Sequence, residues 1–285
     1  MIQNQIKTVL LLGVLSGLLL GIGFFIGGQQ GLIIAFIFAI LMNFGSFLYS
    51  HKLVLFMYKA KLAKKEDYPK LHEMVEEISL KAKIPKPKIY VIPTQTPNAM
   101  ATGPTYKKAV VACTQGILGL LNEDELKGVL AHEIAHIKNR DVLISTIAAT
   151  IASVITYIAF MARWAAIFGG FGRDGENNNI VAILALAILT PIIAMIIQLA
   201  ISRSREFIAD ETGSRFIGQG EPLASALEKL HSENNKSPLK LGNQATNSMF
   251  IVNPFRGSGQ FFAKIFSTHP DVKQRIKKLR ELKIY

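Results

Sequence analysis

Two of the six histidines in this 285-residue chain stand four residues apart around an acid, in the run His132-Glu133-Ile134-Ala135-His136. Residues four apart on a helix share one face. Two imidazoles so placed can grip one metal ion, and the glutamate between them can reach a water at that ion. The chemistry such a set performs is metal-assisted hydrolysis: the ion supplies a Lewis acid, and the carboxylate moves protons. The bland alternative is a pair of helix histidines that bind nothing. Six histidines in the whole chain make that accident rare.

A third ligand is needed. Arg203-Ser204-Arg205-Glu206-Phe207-Ile208-Ala209-Asp210 carries a second pair at i and i+4, Glu206 and Asp210. Glu206 fits a His₂Glu site that keeps one position for water. Asp210 fits an acceptor for the other ring N–H of a ligand histidine. Spacing alone leaves two further readings open. Both acids could form an exposed face paired weakly with Arg203 or Arg205, and Asp141, Glu211 and His269 compete as third ligand. The single cysteine, Cys113, rules out an internal disulfide and a cysteine-based zinc site, and reads as a small buried hydrophobe. Ser204 and Ser267 lie near histidines, but no G-x-S-x-G context makes either a nucleophile.

The elements that must position these groups are largely apolar. Asn122-Glu123-Asp124-Glu125 opens a helix with an N-cap and a capping-box glutamate. Leu126, Val129, Leu130, Ile134 and Ile137 give that helix its apolar surface. It either continues into the uncharged run that follows or breaks near Asn139-Arg140-Asp141. Residues 8–50 contain no Asp, Glu, Lys or Arg. That length holds two membrane spans, near 8–27 and 31–49, divided by Gly27–Gly31. Residues 142–162 and 180–202 read as two more, with Pro191 as a kink. Lys52, Lys59, Lys61, Lys64 and Lys65 follow the second span, and Arg203, Arg205 and Arg215 follow the fourth, so both regions are predicted cytoplasmic. The net charge of +12 suits anionic lipid heads. It does not suit nucleic acid, because the lysines cluster at membrane ends and no nucleic-acid motif occurs.

Between the second span and the metal helix, residues 52–83 read as helix, ended by Ile84-Pro85-Lys86-Pro87. Residues 88–92, 98–103 and 108–114 are candidate strands of a small antiparallel sheet. An edge strand there could bind an extended peptide through its main chain, although on this stretch alone a plain structural hairpin is the better reading. Residues 222–231 read as helix and 232–259 as a polar loop. Val272, Ile276 and Leu279 mark a last amphipathic helix, packed on the domain or on the membrane surface.

His132-Glu133-x-x-His136, Ser202-Arg203-x-Arg205-Glu206-Phe207-x-Ala209-Asp210 and Ser267-Thr268-His269-Pro270 together resemble the HtpX family of integral-membrane zinc endopeptidases, gluzincin-type enzymes related to the CAAX prenyl proteases. The resemblance covers nearly the whole length. It implies a mainly α membrane protein with four transmembrane helices and a cytoplasmic α+β zincin-like metalloprotease domain. The expected divisions are 1–50 and 142–202 in the membrane, with 51–141 and 203–285 forming the protease. It implies one zinc ion on His132, His136 and Glu206, with Glu133 catalytic and Asp210 behind a ligand. Asn98, Ala99 and Met100 correspond to the family's substrate-pairing edge strand. His269 corresponds to a residue that helps stabilise the oxyanion, although Asp271 stands where the family usually has a second proline. The implied setting is a multi-pass protein of a bacterial cell membrane, with its site on the cytoplasmic side. The implied substrates are polypeptides, chiefly misfolded or damaged membrane proteins, in a stress response. A membrane scaffold with a structural metal is the non-enzyme alternative, but such a site would normally be closed by four protein ligands. A prenyl-protein endoprotease would share the chemistry but have a larger helical chamber.

Overall fold

The computed structural model describes residues 54–168, 178–236 and 270–284 continuously, with isolated positions between 14 and 52. In chain order the elements are β1 (Lys61–Leu62), α1 (Pro69–Ala82), β2 (Lys88–Ile92), β3 (Ala99–Thr102), β4 (Val110–Thr114), α2 (Gln115–Leu120) and α3 (Glu123–Lys138). Then come α4 (Asp141–Phe168), α5 (Asn178–Ile217), α6 (Glu221–Lys236) and α7 (Val272–Arg280). The chain divides into two compact units. One is built mainly from Phe47–Leu143 and Ser202–Tyr285, and the other contains Ile144–Ile201.

The first unit holds every described residue of the candidate site. The helix expected over 52–83 is interrupted. Lys59 turns left-handed at φ 50°, β1 pairs antiparallel with β2, and α1 begins only at Pro69. Proline at the first helical position loses no intrahelical bond and carries a suitable φ. Leu71, Val75, Ile78 and Ala82 then bury one stripe of α1.

The sheet is mixed, not antiparallel as expected. Its strand order is β1-β2-β4-β3, and β4 runs parallel to β2 while β3 runs antiparallel to β4. After β2 the chain crosses to the far edge as β3, then returns through the central slot as β4. Two reversals restore the original direction. All five residues of β4 are buried, as expected of a central strand covered on both faces. β3 is an edge: no further strand pairs with it among the described residues.

The sheet and α1 pack against α3, whose Val129, Leu130 and Ile134 are wholly buried together with Leu223, Leu227 and Leu230 of α6. Full burial of such side chains stabilises by roughly 1.5–3 kcal/mol each. The capping box at the start of α3 forms as expected. Asn122 accepts from the Glu125 backbone, and Glu125 accepts from that of Asn122. Glu125 also accepts from Ser225 Oγ at 2.6 Å and Lys229 Nζ at 2.8 Å, which ties α6 to the start of α3. α6 runs on to Lys236, past the His231 boundary read from the sequence.

In the second unit, α4 and α5 share a core of Ala148, Ala152, Ile155, Ala194, Ile197 and Ile201. Ile188, Leu189, Ile192, Ile193 and Ile196 of α5 are exposed. Such an apolar surface calls for lipid or another apolar partner. Two helices among the described residues are long and apolar enough to cross a membrane, Asp141–Phe160 and Ala187–Ile217. Pro191 lies inside α5 without ending it. The spans expected near 8–27 and 31–49 lie outside the described residues, apart from isolated positions.

Candidate metal centre

Helix α3 carries His132, Glu133 and His136. It ends at Lys138, with Asn139 as its cap, and Arg140 adopts φ 55°. The break between the metal helix and the following apolar helix therefore lies at Asn139-Arg140-Asp141. Its consequence is local: the reversal brings Asp141 Oδ2 to 2.7 Å from His136 Nδ1. Asp141, one of the competing third ligands, instead sits behind a histidine. His132 has the matching arrangement, with Asp210 Oδ1 2.9 Å from its Nδ1.

The Asp141 hydrogen bond fixes the tautomer of His136, and the Asp210 carboxylate favours the same tautomer at His132 by its charge, without meeting hydrogen-bond geometry. A neutral histidine that donates from Nδ1 presents a bare lone pair at Nε2. The two Nε2 atoms face each other at 3.0 Å. Glu206 completes the cluster, with Oε1 3.5 Å from His136 Nε2 and Oε2 3.7 Å from His132 Nε2. One ligand atom from each of His132, His136 and Glu206 lies within 4.8 Å of the others. Without a metal, a proton on His136 Nε2 bridges the two rings at this distance; with both nitrogens deprotonated, the facing lone pairs beside a carboxylate repel unless a cation lies among them. Two imidazoles and one carboxylate are also a donor set that zinc accepts.

Glu206 and Asp210 are not an exposed acidic face. They are 5% and 4% exposed, and Arg205 is buried beside them. Each acid behind a histidine has its own guanidinium. Arg205 donates to Asp141 and, at 3.2 Å, to the Asn139 carbonyl. Arg275 of α7, fully buried, donates to both Asp210 oxygens at 2.7 and 2.8 Å and lies 3.0 Å from Glu206 Oε2. Both histidines thus end the same chain of imidazole, carboxylate and guanidinium. Asp141, Glu133, Glu206 and Asp210 are all buried here, as are Arg205 and Arg275.

Charge also governs the histidines' protons. Burial and the neighbouring His136 lower the pKa of His132. Burial opposes charge on His136 too, but the Asp141 hydrogen bond and the charges of Glu206, Asp141 and Glu133 outweigh it and raise its pKa to about 9. A metal ion must displace that proton. Apparent metal affinity is therefore expected to weaken as pH falls below about 9. Binding at pH 7.5 should release a proton, which calorimetry in buffers of different ionisation enthalpy measures. Cys113, opposite Ala99 in the sheet, is buried and its pKa is pushed up to about 12, so it is no nucleophile.

Residues 65–283 match the model of peptidase family M48. The chain belongs to peptidase family M48. Curated relatives include a protease HtpX homolog of Pyrococcus furiosus, 52% identical over 277 residues, covering 97% of this chain and 95% of that one. Another is the protease HtpX homolog of Persephonella marina, 53% identical over 283 residues and covering 98% of each chain. Among solved structures, that of S. mikatae Ste24p superposes with a TM-score of 0.62 at 19% identity, covering 98% of this chain and 66% of that one. It shares the fold. As an M48 member the chain is a metallopeptidase.

Glu133 is buried one residue from His132 on α3. Asn98, Ala99 and Met100 are buried at the start of the edge strand, which lies against α3. Glu211 pairs with Arg215 at 3.1 Å, one turn beyond the cluster. His269 lies outside the described residues. Three participants escaped the sequence reading: Asp141 and Arg205 in these roles, and Arg275 altogether. The signal for Arg275 was present. It stands three residues after Val272 and four before Leu279, on the apolar stripe of its helix, where a buried charge demands a partner.

Gly213 lets α5 approach the metal helix. A Cβ there would lie 2.8 Å from the His132 backbone nitrogen and 2.9 Å from the Ala131 carbonyl. Gly213→Ala should therefore push α5 from α3 and carry Glu206 and Asp210 with it. Overpacking of this kind costs about 1–3 kcal/mol. The expected result is a lower melting temperature with weaker metal binding, read by thermal unfolding with and without added zinc.

Proposed function

We propose that this chain is a membrane-bound zinc endopeptidase that cuts polypeptides, chiefly misfolded or damaged membrane proteins, in quality control. The observation that carries the reading is the pair of histidine Nε2 atoms 3.0 Å apart beside Glu206, each ring with an aspartate behind it. His132, His136 and Glu206 would hold the ion. When bound, zinc supplies a Lewis acid that acidifies water and polarises the scissile carbonyl. Glu133 takes the proton of the attacking water and hands it to the leaving amine. Asp210 and Asp141 hold the two imidazoles in one tautomer and orientation, and Arg275 and Arg205 hold the aspartates. β3 offers its outer edge to an extended substrate, whose main chain would pair there. His269 is the proposed further donor to the oxyanion.

The exposed apolar face of α5 and the uncharged runs support a multi-pass protein of the cell membrane. The lysines after residue 51 support a cytoplasmic site. The division into 1–50 and 142–202 in the membrane, with 51–141 and 203–285 as the peptidase, belongs to the same proposal. Membrane proteomes of cells carrying the wild-type chain or Glu133→Gln test the substrate class. Membrane-protein fragments seen only with the wild type support it. Identical proteomes, with purified wild-type protein active on model peptides, would overturn it.

A further inference from the structure

A cavity of about 320 Å³ borders the metal centre. Its walls include Pro104, Tyr106, His136, Arg140, Val142 and Leu143. Ligand sites run from roughly 300 to 1,000 Å³, so this one holds a single large side chain better than a whole ligand. It lies between the end of the metal helix and the chain leaving β3. His136 forms part of the wall, and the chain leaving edge strand β3 at Thr102 forms another part through Gly103–Tyr106.

Two features hold the cavity open. Gly103 turns the chain out of β3 at φ +123°, where a Cβ would lie 2.4 Å from the Lys108 carbonyl oxygen. Arg140, at φ 55°, carries no glycine to ease that conformation. Left-handed backbone at a non-glycine residue persists only where its surroundings enforce it, and such positions gather at functional sites. The surroundings here are specific. Arg140 Nε donates to Tyr106 Oη at 3.1 Å, its guanidinium carbon stands 5.2 Å from the Tyr106 ring centroid, and Tyr106 Oη donates to the Lys138 carbonyl at 3.1 Å. The Arg140–Tyr106 pair thus bridges the chain after β3 to the turn after α3.

We propose that this cavity is a side-chain subsite of the peptidase. It takes a large apolar side chain, aromatic or leucine-like, from a residue next to the cut bond, with Arg140 and Tyr106 forming its rim. The inference rests on the endopeptidase reading above. Pro104, Ile137, Val142 and Leu143 offer a bound side chain few polar partners, so a charged group would lose hydration without replacement. The Arg140 guanidinium at the rim repels lysine and arginine in particular.

The test uses the full-length, zinc-loaded protein in detergent micelles. The probes are quenched-fluorescence peptides that differ at one residue on either side of the cut bond: Phe, Leu, Ala, Glu or Lys. On one side, kcat/KM for Phe and Leu is expected to exceed that for Ala by about 10-fold or more, the scale of discrimination by an apolar pocket, with Lys lowest. Val142→Trp narrows the cavity and should bring the Phe:Ala ratio towards one. Leu143→Ala widens it and should raise Phe over Leu. Arg140→Glu should raise Lys relative to Leu. Zinc content and melting temperature establish that each variant is folded. A flat series in the wild type, or ratios that none of these variants moves, would overturn the subsite while leaving the endopeptidase intact. If the wild type cuts no peptide at all, the endopeptidase reading fails and the subsite with it.

Discussion

Glu133→Gln is expected to lower kcat/KM by about 10²- to 10⁴-fold, the range that one positioned acid–base group contributes, while the protein still binds one zinc ion. The reasoning is local. Glu133 is buried on the same helix as His132 and His136 but is no part of the three-residue ligand cluster. The amide preserves size and one acceptor oxygen yet cannot take a proton from water. It also removes one of four buried negative charges, so some weakening of metal affinity accompanies the loss. Metal content and peptide cleavage must therefore be measured on the same sample, at saturating zinc. Rapid cleavage by fully loaded Glu133→Gln protein would remove Glu133 from the proton-transfer role.

Arg275→Met is expected to be the most destabilising single change at the site. Arg275 lies opposite Asp210 and Glu206, and all three are buried. Removing one partner of a buried ion pair costs about 3–5 kcal/mol, because the other charge is left without compensation. The loss should be largest in protein stripped of metal, where both carboxylates lose the guanidinium they share. It should shrink in saturating zinc, because the cation restores part of the missing charge. The measurement is the melting temperature of wild type and variant with chelator and with zinc. Arg275→Lys keeps the charge but not the fork that reaches both Asp210 oxygens and Glu206, so it should fall between the two. Equal losses with and without zinc would show that Arg275 acts only as packing for α7. The same contrast applies to α7 as a whole: its sequence reads as a helix packed on the domain or on the membrane surface, and it delivers the guanidinium that stands beside Glu206.

These predictions show how far residue spacing reaches. It reached His132, Glu133 and His136, and the Glu206–Asp210 pair, because each set lies within one turn of one helix. There the period of 3.6 residues converts sequence into geometry. It could not reach the partnerships made between elements. Arg205 meets Asp141 across 64 positions of sequence, Arg275 meets Asp210 across 65, and Arg275 comes within 3.4 Å of His132 across 143. No periodicity encodes such pairs. Turn chemistry was misjudged in two places. The 52–83 region read as continuous helix because its apolar spacing was followed through Pro69, which instead starts a helix. The sheet read as antiparallel because three successive strands suggest a meander. Yet Val110-Val111-Ala112-Cys113 is an unbroken apolar run, the pattern of a central strand, and its position between β2 and β3 makes the sheet mixed. The break after α3 was correctly placed as one of two options, but its purpose was not visible. The left-handed Arg140 exists to return Asp141 to His136.

The account rests on one ion held by three protein ligands. Anomalous diffraction at the zinc edge, from crystals of the full-length protein, tests this most directly. The expected map has a single peak within bonding distance of His132 Nε2, His136 Nε2 and a Glu206 oxygen, with no other side chain bound. A peak elsewhere would contradict it, as would a site closed by a fourth protein ligand.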